Sequence, residues 1–171
     1  GTFRAFMAEL LPLQSPGVLG LEGWVSTAGL WSPEPNFIPD CDVSCMVSPR
    51  QFAEIFLPPL RRAMRDFSRN LYHLDGTEAL RSLDLLLETP EVDGIQWVPG
   101  AGREELAHWV PVVKRIQAAG KCVQLLARPE EIEPFLREVR PEGLLFSTTC
   151  ASEAEGRALV ERVGRLAGAR A

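Results

Sequence analysis

Leu71-Tyr-His-Leu-Asp-Gly76 decides how the chain is read. It places one of only two histidines and an aspartate two positions apart, at the end of an apolar run and just before a glycine. In an extended strand, residues two apart point the same way. His73 and Asp75 therefore project together, with Tyr72 and Leu74 on the other face. Gly76 releases the chain into a turn, and Thr77 can cap a following helix. A histidine and a carboxylate at the C-terminal mouth of a strand can hold a metal or move a proton. The structural alternative is a buried histidine held by its neighbour.

Outward from this stretch, the C-terminal half alternates between two periods. Asn70–Asp75 reads as a strand, and Thr77–Leu87 as a helix with Leu80, Leu83, Leu86 and Leu87 at helical spacing. Gly94–Val98 is a second strand, followed by a helix over Arg103–Ala119 that stops at Gly120. Cys122–Ala127 is a third strand and Pro129–Val139 its helix; Gly143–Thr149 is a fourth strand and Ser152–Leu166 the closing helix. Strands alternating with helices indicate βαβ units and a parallel sheet. About four parallel strands, each followed by a helix, thus occupy residues 69–168 of a single domain spanning 1–171.

The first third is irregular. Phe3–Leu13 reads as a short amphipathic helix. Residues 15–42 form a long loop containing Pro16, Pro33, Pro35 and Pro39 and four glycines, with Trp24, Trp31 and Phe37 needing something to pack on. Cys41–Val47 reads as a short strand. Ser48-Pro49 supplies an N-cap and first position for a helix from Pro49 to Ser68, which Pro58-Pro59 must kink or divide.

Composition narrows the function. The 171 residues are 46% hydrophobic and 24% charged, ordinary values for one globular domain. A net charge of −5 opposes nucleic-acid binding, which needs clustered cations. Arg157, Arg162, Arg165 and Arg170 alternate with Glu153, Glu155 and Glu161, as on a solvated helix face. No apolar run reaches the roughly 20 residues a membrane span needs, and no signal peptide is read at the start. Cys41, Cys45, Cys122 and Cys150 lack C-x-x-C spacing, so reduced thiols in a cytoplasmic protein are expected. Cys41 and Cys45 are expected to pack rather than ligate.

The strands also carry polar residues. Gln96 and Gln124 interrupt apolar strands at similar positions, and Ser147, Thr148, Thr149 and Cys150 crowd the end of the fourth. Buried amides need partners, so these groups point to a shared polar cavity at the C-terminal rim of a (β/α) barrel. An open doubly wound sheet is the alternative. Pro99-Gly-Ala-Gly102 lies between a strand and a helix, so its amides can cradle an anion or simply make a tight turn. Trp97 and Trp109 line a pocket or pack in the core; His108 is peripheral.

Four segments together resemble the C-terminal half of the uroporphyrinogen decarboxylase-like superfamily: Asp40-Cys-Asp-Val-Ser-Cys-Met-Val-Ser-Pro49, Tyr72-His-Leu-Asp-Gly76, Asp93-Gly-Ile-Gln-Trp-Val-Pro-Gly-Ala-Gly102 and Gly120-Lys121. The resemblance spans about residues 36–165. It is similar to an uncharacterised branch more than to the decarboxylase or the corrinoid-linked methyltransferases. It implies a TIM-type (β/α)8 barrel of which this chain is the later half, leaving either a missing N-terminal half or a homo-oligomer to complete it. It further implies methyl transfer or decarboxylation on a small, corrinoid-linked or tetrapyrrole-related substrate.

In the methyltransferase branch zinc is held by a His-x-Cys pair and a distant cysteine. Carried across, His73 matches the histidine, Asp75 stands where the first cysteine would be, and Cys150 matches the distant one. In the decarboxylase branch no metal is used, and His73 and Asp75 become a proton-transfer pair. Gln96, Trp97, Gly100, Gly102 and Gln124 then serve as substrate-binding residues. Arg103 and Arg128 are the rim cations on offer, or plain helix-start residues. A half-barrel that binds or assembles without turnover is the alternative function.

Overall fold

A computed structural model describes residues 5, 6, 9, 23–26 and 28–169. The helix expected over Phe3–Leu13 lies largely outside the described residues, as do positions 15–22 and 27 of the long loop. The chain folds as an α/β domain around a five-stranded parallel sheet: β3 (Asn36–Phe37), β4 (Arg69–Asp75), β5 (Gly94–Val98), β6 (Cys122–Leu126) and β7 (Leu144–Ser147) lie side by side in sequence order. A separate two-stranded hairpin, β1 (Trp24–Val25) and β2 (Trp31–Ser32), pairs antiparallel. An order without reversal has no switch point, unlike the strand order of a doubly wound sheet.

The sheet has one strand more than the sequence reading found. β3 sits inside the proline-rich segment, and prolines are tolerated at a sheet edge because only their missing N–H matters. The carbonyls of Pro35 and Pro39 accept from Ser68 N (3.1 Å) and His73 N (2.9 Å), and Asp40 forms an isolated parallel bridge to His73. The strand expected over Cys41–Val47 is instead a 3₁₀ turn at Asp42–Cys45. There Ser44 N donates to Cys41 O and Met46 N to Val43 O. Short-range bonds of this kind leave Met46 exposed, which a strand inside the sheet would not.

Among the described residues, the helices from Phe52 onward pack on one face. Tyr72, Leu74, Ile95, Trp97, Val123 and Leu125 meet Phe52, Met64, Leu83, Leu86, Val113, Ile116 and Phe135 in a single core. A smaller cluster of Ile132, Leu136 and Leu159 sits under α6. The expected helix over 49–68 is divided as its prolines require. Ser48 and Gln51 form a reciprocal cap on α1 (Pro49–Gln51), a π turn follows at Phe52–Phe56, and α2 runs over Leu57–Met64. Pro58 and Pro59 cannot donate to carbonyls four residues back, and the ladder widens just before them, with Leu57 N donating to Phe52 O.

The later helices are shorter than their sequence patterns. A 3₁₀ turn at Thr77–Ser82 precedes α3 (Leu83–Leu87), and another at Leu106–Trp109 precedes α4 (Val110–Ala118). Thr77 is not the cap: Gly76 holds that place, and the Thr77 hydroxyl donates to Glu78. α5 covers Pro129–Leu136 and α6 Glu153–Gly168. Along α6, Arg157 pairs with Glu153 (2.7 Å) and Arg165 with Glu161 (3.9 Å), the expected solvated face. Among the described residues no helix is long and apolar enough to cross a membrane, and Cys41, Cys45, Cys122 and Cys150 are free thiols.

The face of the sheet turned away from the helices divides along its length. Towards the N-terminal ends of the strands it is apolar. There Leu71, Gly94, Cys122 and Leu145 floor a pocket of about 360 Å³, walled by Leu30, Trp31 and Pro33 of the hairpin segment. Towards the C-terminal ends it is polar.

Candidate functional site

β4 delivers His73 and Asp75 to the open face as its alternation dictates, while Tyr72 and Leu74 are buried in the helical core. β3 then runs out beside β4 as far as Asp40, and the 3₁₀ turn that ends it brings Asp42 to the same rim. One donor atom from each of Asp42, His73 and Asp75 lies within 4.8 Å of the others. Two carboxylates and an imidazole make a hard-to-borderline donor set suited to a divalent cation. Asp42 was missed by sequence reading because its place depends on the two-residue β3. The sequence alone places it inside the expected strand Cys41–Val47, with no function of its own.

Cys150 does not join this group. It packs against Ile132, Leu136 and Leu159, under α6 and three strands away from β4 along the sheet. Of the three residues carried over from the family resemblance, His73 and Asp75 lie together, and Asp42 rather than Cys150 is the third group beside them.

The two glutamines are not free for a ligand. In the strand register His73 stands beside Gln96, and Gln96 beside Gln124. His73 Nδ1 meets Gln96 Oε1 at 2.5 Å, and Gln96 Nε2 donates to Gln124 Oε1 at 3.1 Å. Gln124 Nε2 donates to Ser147 Oγ (2.9 Å) and to the Ala28 carbonyl (3.0 Å). Of the polar residues expected to share one rim cavity, Gln96, Gln124 and Ser147 converge in a continuous chain of hydrogen bonds, while Cys150 packs elsewhere.

Trp97 points the other way. It is 1% exposed on the helical face and meets Trp109 edge-on at 5.0 Å, so the expectation that it binds substrate is corrected to a core role. An odd–even strand position settles this: Trp97 follows Gln96, and neighbours in a strand face opposite sides. His108 is exposed beside Glu105, peripheral as read.

The Pro99–Gly102 turn has the backbone an anion cradle needs, with φ of 87° at Gly100 and 77° at Gly102. Its own Glu104 occupies it: Gly102 N donates to Glu104 Oε1 at 2.7 Å. That bond is the main cause holding the Glu104 carboxyl below its ordinary range. The turn is already filled by an internal carboxylate, and its 3₁₀ continuation gives no α-helix N-terminus there. Arg128 is engaged as well, by Glu130 and Glu131 at the start of its own helix.

Nucleophiles near the site are quiet. Burial pushes the Cys41 thiol and the Tyr72 phenol up from their ordinary values, so neither is set to ionise near neutral pH. Asp42, His73 and Asp75 are the clustered titratable groups at this rim. A rim pocket of about 420 Å³ lies over the ends of β6 and β7 and is lined by Leu126, Arg128, Ser147, Thr148 and Thr149.

Comparison with protein-family models and with curated proteins finds no match.

Proposed function

We infer that the chain forms part of a (β/α)8 barrel enzyme of the uroporphyrinogen decarboxylase-like kind, acting in metal-assisted methyl transfer on a small, corrinoid-linked substrate. The observation that carries this reading is the convergence of Asp42, His73 and Asp75 at the C-terminal ends of adjacent parallel strands. Parallel sheets gather their active groups at this end. Five strands in sequence order with helices on one face support the barrel; the open face is then its interior.

Fit to a divalent cation rests on the donors themselves. His73 engages Gln96 through Nδ1, so Nε2 is the nitrogen left for coordination, and the two aspartates add charge. Such an ion would act as a Lewis acid on the substrate's heteroatom, lowering its pKa so that it reacts as an anion. With carboxylates in place of thiolates, the donor set suits zinc and harder divalent ions and favours an oxygen or nitrogen substrate atom over a soft thiol. Asp42 and Asp75 orient that atom. Decarboxylation of a tetrapyrrole is less well supported, because of the two rim cations, Arg103 and Arg128, the latter is already paired.

Titration of the purified protein with zinc and with manganese tests the reading. Stoichiometric binding is expected, falling at least about 10–100-fold in affinity in Asp42→Asn and in His73→Ala. No binding to the parent protein, or equal binding by parent and variants, removes it. A second reading, a half-barrel that binds or assembles without turnover, draws on the exposed apolar side chains Trp31, Leu126 and Leu145.

A further inference from the structure

We propose that Gln96 and Gln124 are positioning residues, forming a one-way hydrogen-bond relay through which the main-chain carbonyl of Ala28 fixes the ring tautomer of His73. The inference rests on the functional reading only in what it says about coordination. The direction of the relay follows from which atoms can donate. A backbone carbonyl only accepts, so the group of Gln124 facing Ala28 O at 3.0 Å is its NH2. The Gln124 oxygen therefore faces Gln96, at 3.1 Å. An oxygen there demands a donor, which orients the Gln96 amide with its own oxygen towards His73. His73 Nδ1, 2.5 Å from that oxygen, must carry a hydrogen.

Reversing any one amide opposes two acceptors or two donors inside the chain. At Gln124, which is 1% exposed, no water is at hand to absorb the mismatch. The register makes the relay possible, since His73, Gln96 and Gln124 are directly adjacent across three parallel strands. The consequence is chemical: neutral His73 presents its lone pair on Nε2, the only ring nitrogen left for a cation or a proton. Gln96 and Gln124 thus touch no substrate; they act through His73.

Ring nitrogen resonances of His73 decide the matter, read by long-range ¹H–¹⁵N correlation on metal-free protein at about pH 8.5, well above the ordinary imidazole range. His108→Asn in every sample leaves a single ring to observe. A hydrogen on Nδ1 is expected in this parent. Gln124→Leu, which does not touch His73, is expected to release Gln96 and give a tautomer mixture, with zinc affinity down about 10–100-fold. A hydrogen on Nε2 in the parent overturns the relay, as does an unchanged ring in folded Gln124→Leu; should that variant not fold, the parent spectrum alone decides. A ring protonated on Nδ1 in protein that binds no zinc leaves the relay standing and removes the metal reading. Zinc binding by a ring protonated on Nε2 does the reverse.

Discussion

Gly94 opens β5 between Leu71 of β4 and Cys122 of β6, and a methyl there has nowhere to go. A Cβ at this position would lie 2.8 Å from Leu71 Cδ1 and 2.9 Å from the Cys122 carbonyl oxygen. One of these obstacles is backbone and cannot rotate away. Gly94→Ala is expected to destabilise the fold by about 1–3 kcal/mol, read as a lowered urea midpoint with unchanged slope; a midpoint equal to the parent's would show that the sheet yields at this point. The same scale explains what the sequence disclosed about the site. His73 and Asp75 were legible because strand alternation is local and needs no knowledge of neighbours. Gln96 and Gln124 stood out for their chemistry, but not their partnership, which depends on a register between strands. Asp42 was hidden for the opposite reason: nothing near it in sequence reveals that β3 will carry it to β4.

Between elements, a charged clamp joins the end of α2 to the turn before β5. Glu91 receives Arg61 Nε at 2.8 Å and Arg65 Nε at 2.8 Å. The hydrogen bond from Arg61, first among the causes, helps bring its carboxyl to about 2 from an ordinary 4.5. A carboxyl depressed in the folded state stabilises above its unfolded pKa, and that contribution disappears as pH falls from about 4.5 towards 2. Glu91→Gln is therefore expected to be less stable than the parent at neutral pH and to show a flatter loss on acidification through this window, measured by urea unfolding at each pH. The effect is modest, since both guanidiniums are partly in water. Helical periodicity found the elements but overran their ends. Thr77–Ser82 and Leu106–Trp109 carry apolar spacing that suits an α-helix, yet they wind as 3₁₀ turns. Apolar periodicity reports which side of a segment is buried, and a tighter winding buries much the same side.

Across the whole molecule, one face of the sheet is sealed by helices and the other is only partly covered. Leu126 is 57% exposed, Trp31 47% and Leu145 38%, on or beside that second face. An apolar area of this kind attracts hydrophobic dyes or a partner surface. Binding of an environment-sensitive naphthalene sulfonate dye by the native protein is expected, with a reduced signal and no lower melting temperature in Leu145→Glu. Undiminished dye fluorescence in that variant would place the sticky surface elsewhere. The parallel sheet was legible in the sequence because strands and helices alternate. Its fifth strand was not, being two residues long among prolines and recognisable only by the neighbour that pairs with it.

The turn that lays Ala28 over Gln124 contributes a peptide oxygen and no side chain. Amino-acid replacement at position 28 leaves that oxygen in place, so the spot tolerates spelling changes while remaining intolerant of a changed loop length. An insertion or deletion between the two hairpin strands would carry the carbonyl off its amide and be felt at an imidazole across the sheet, although no conserved letter would mark the cause.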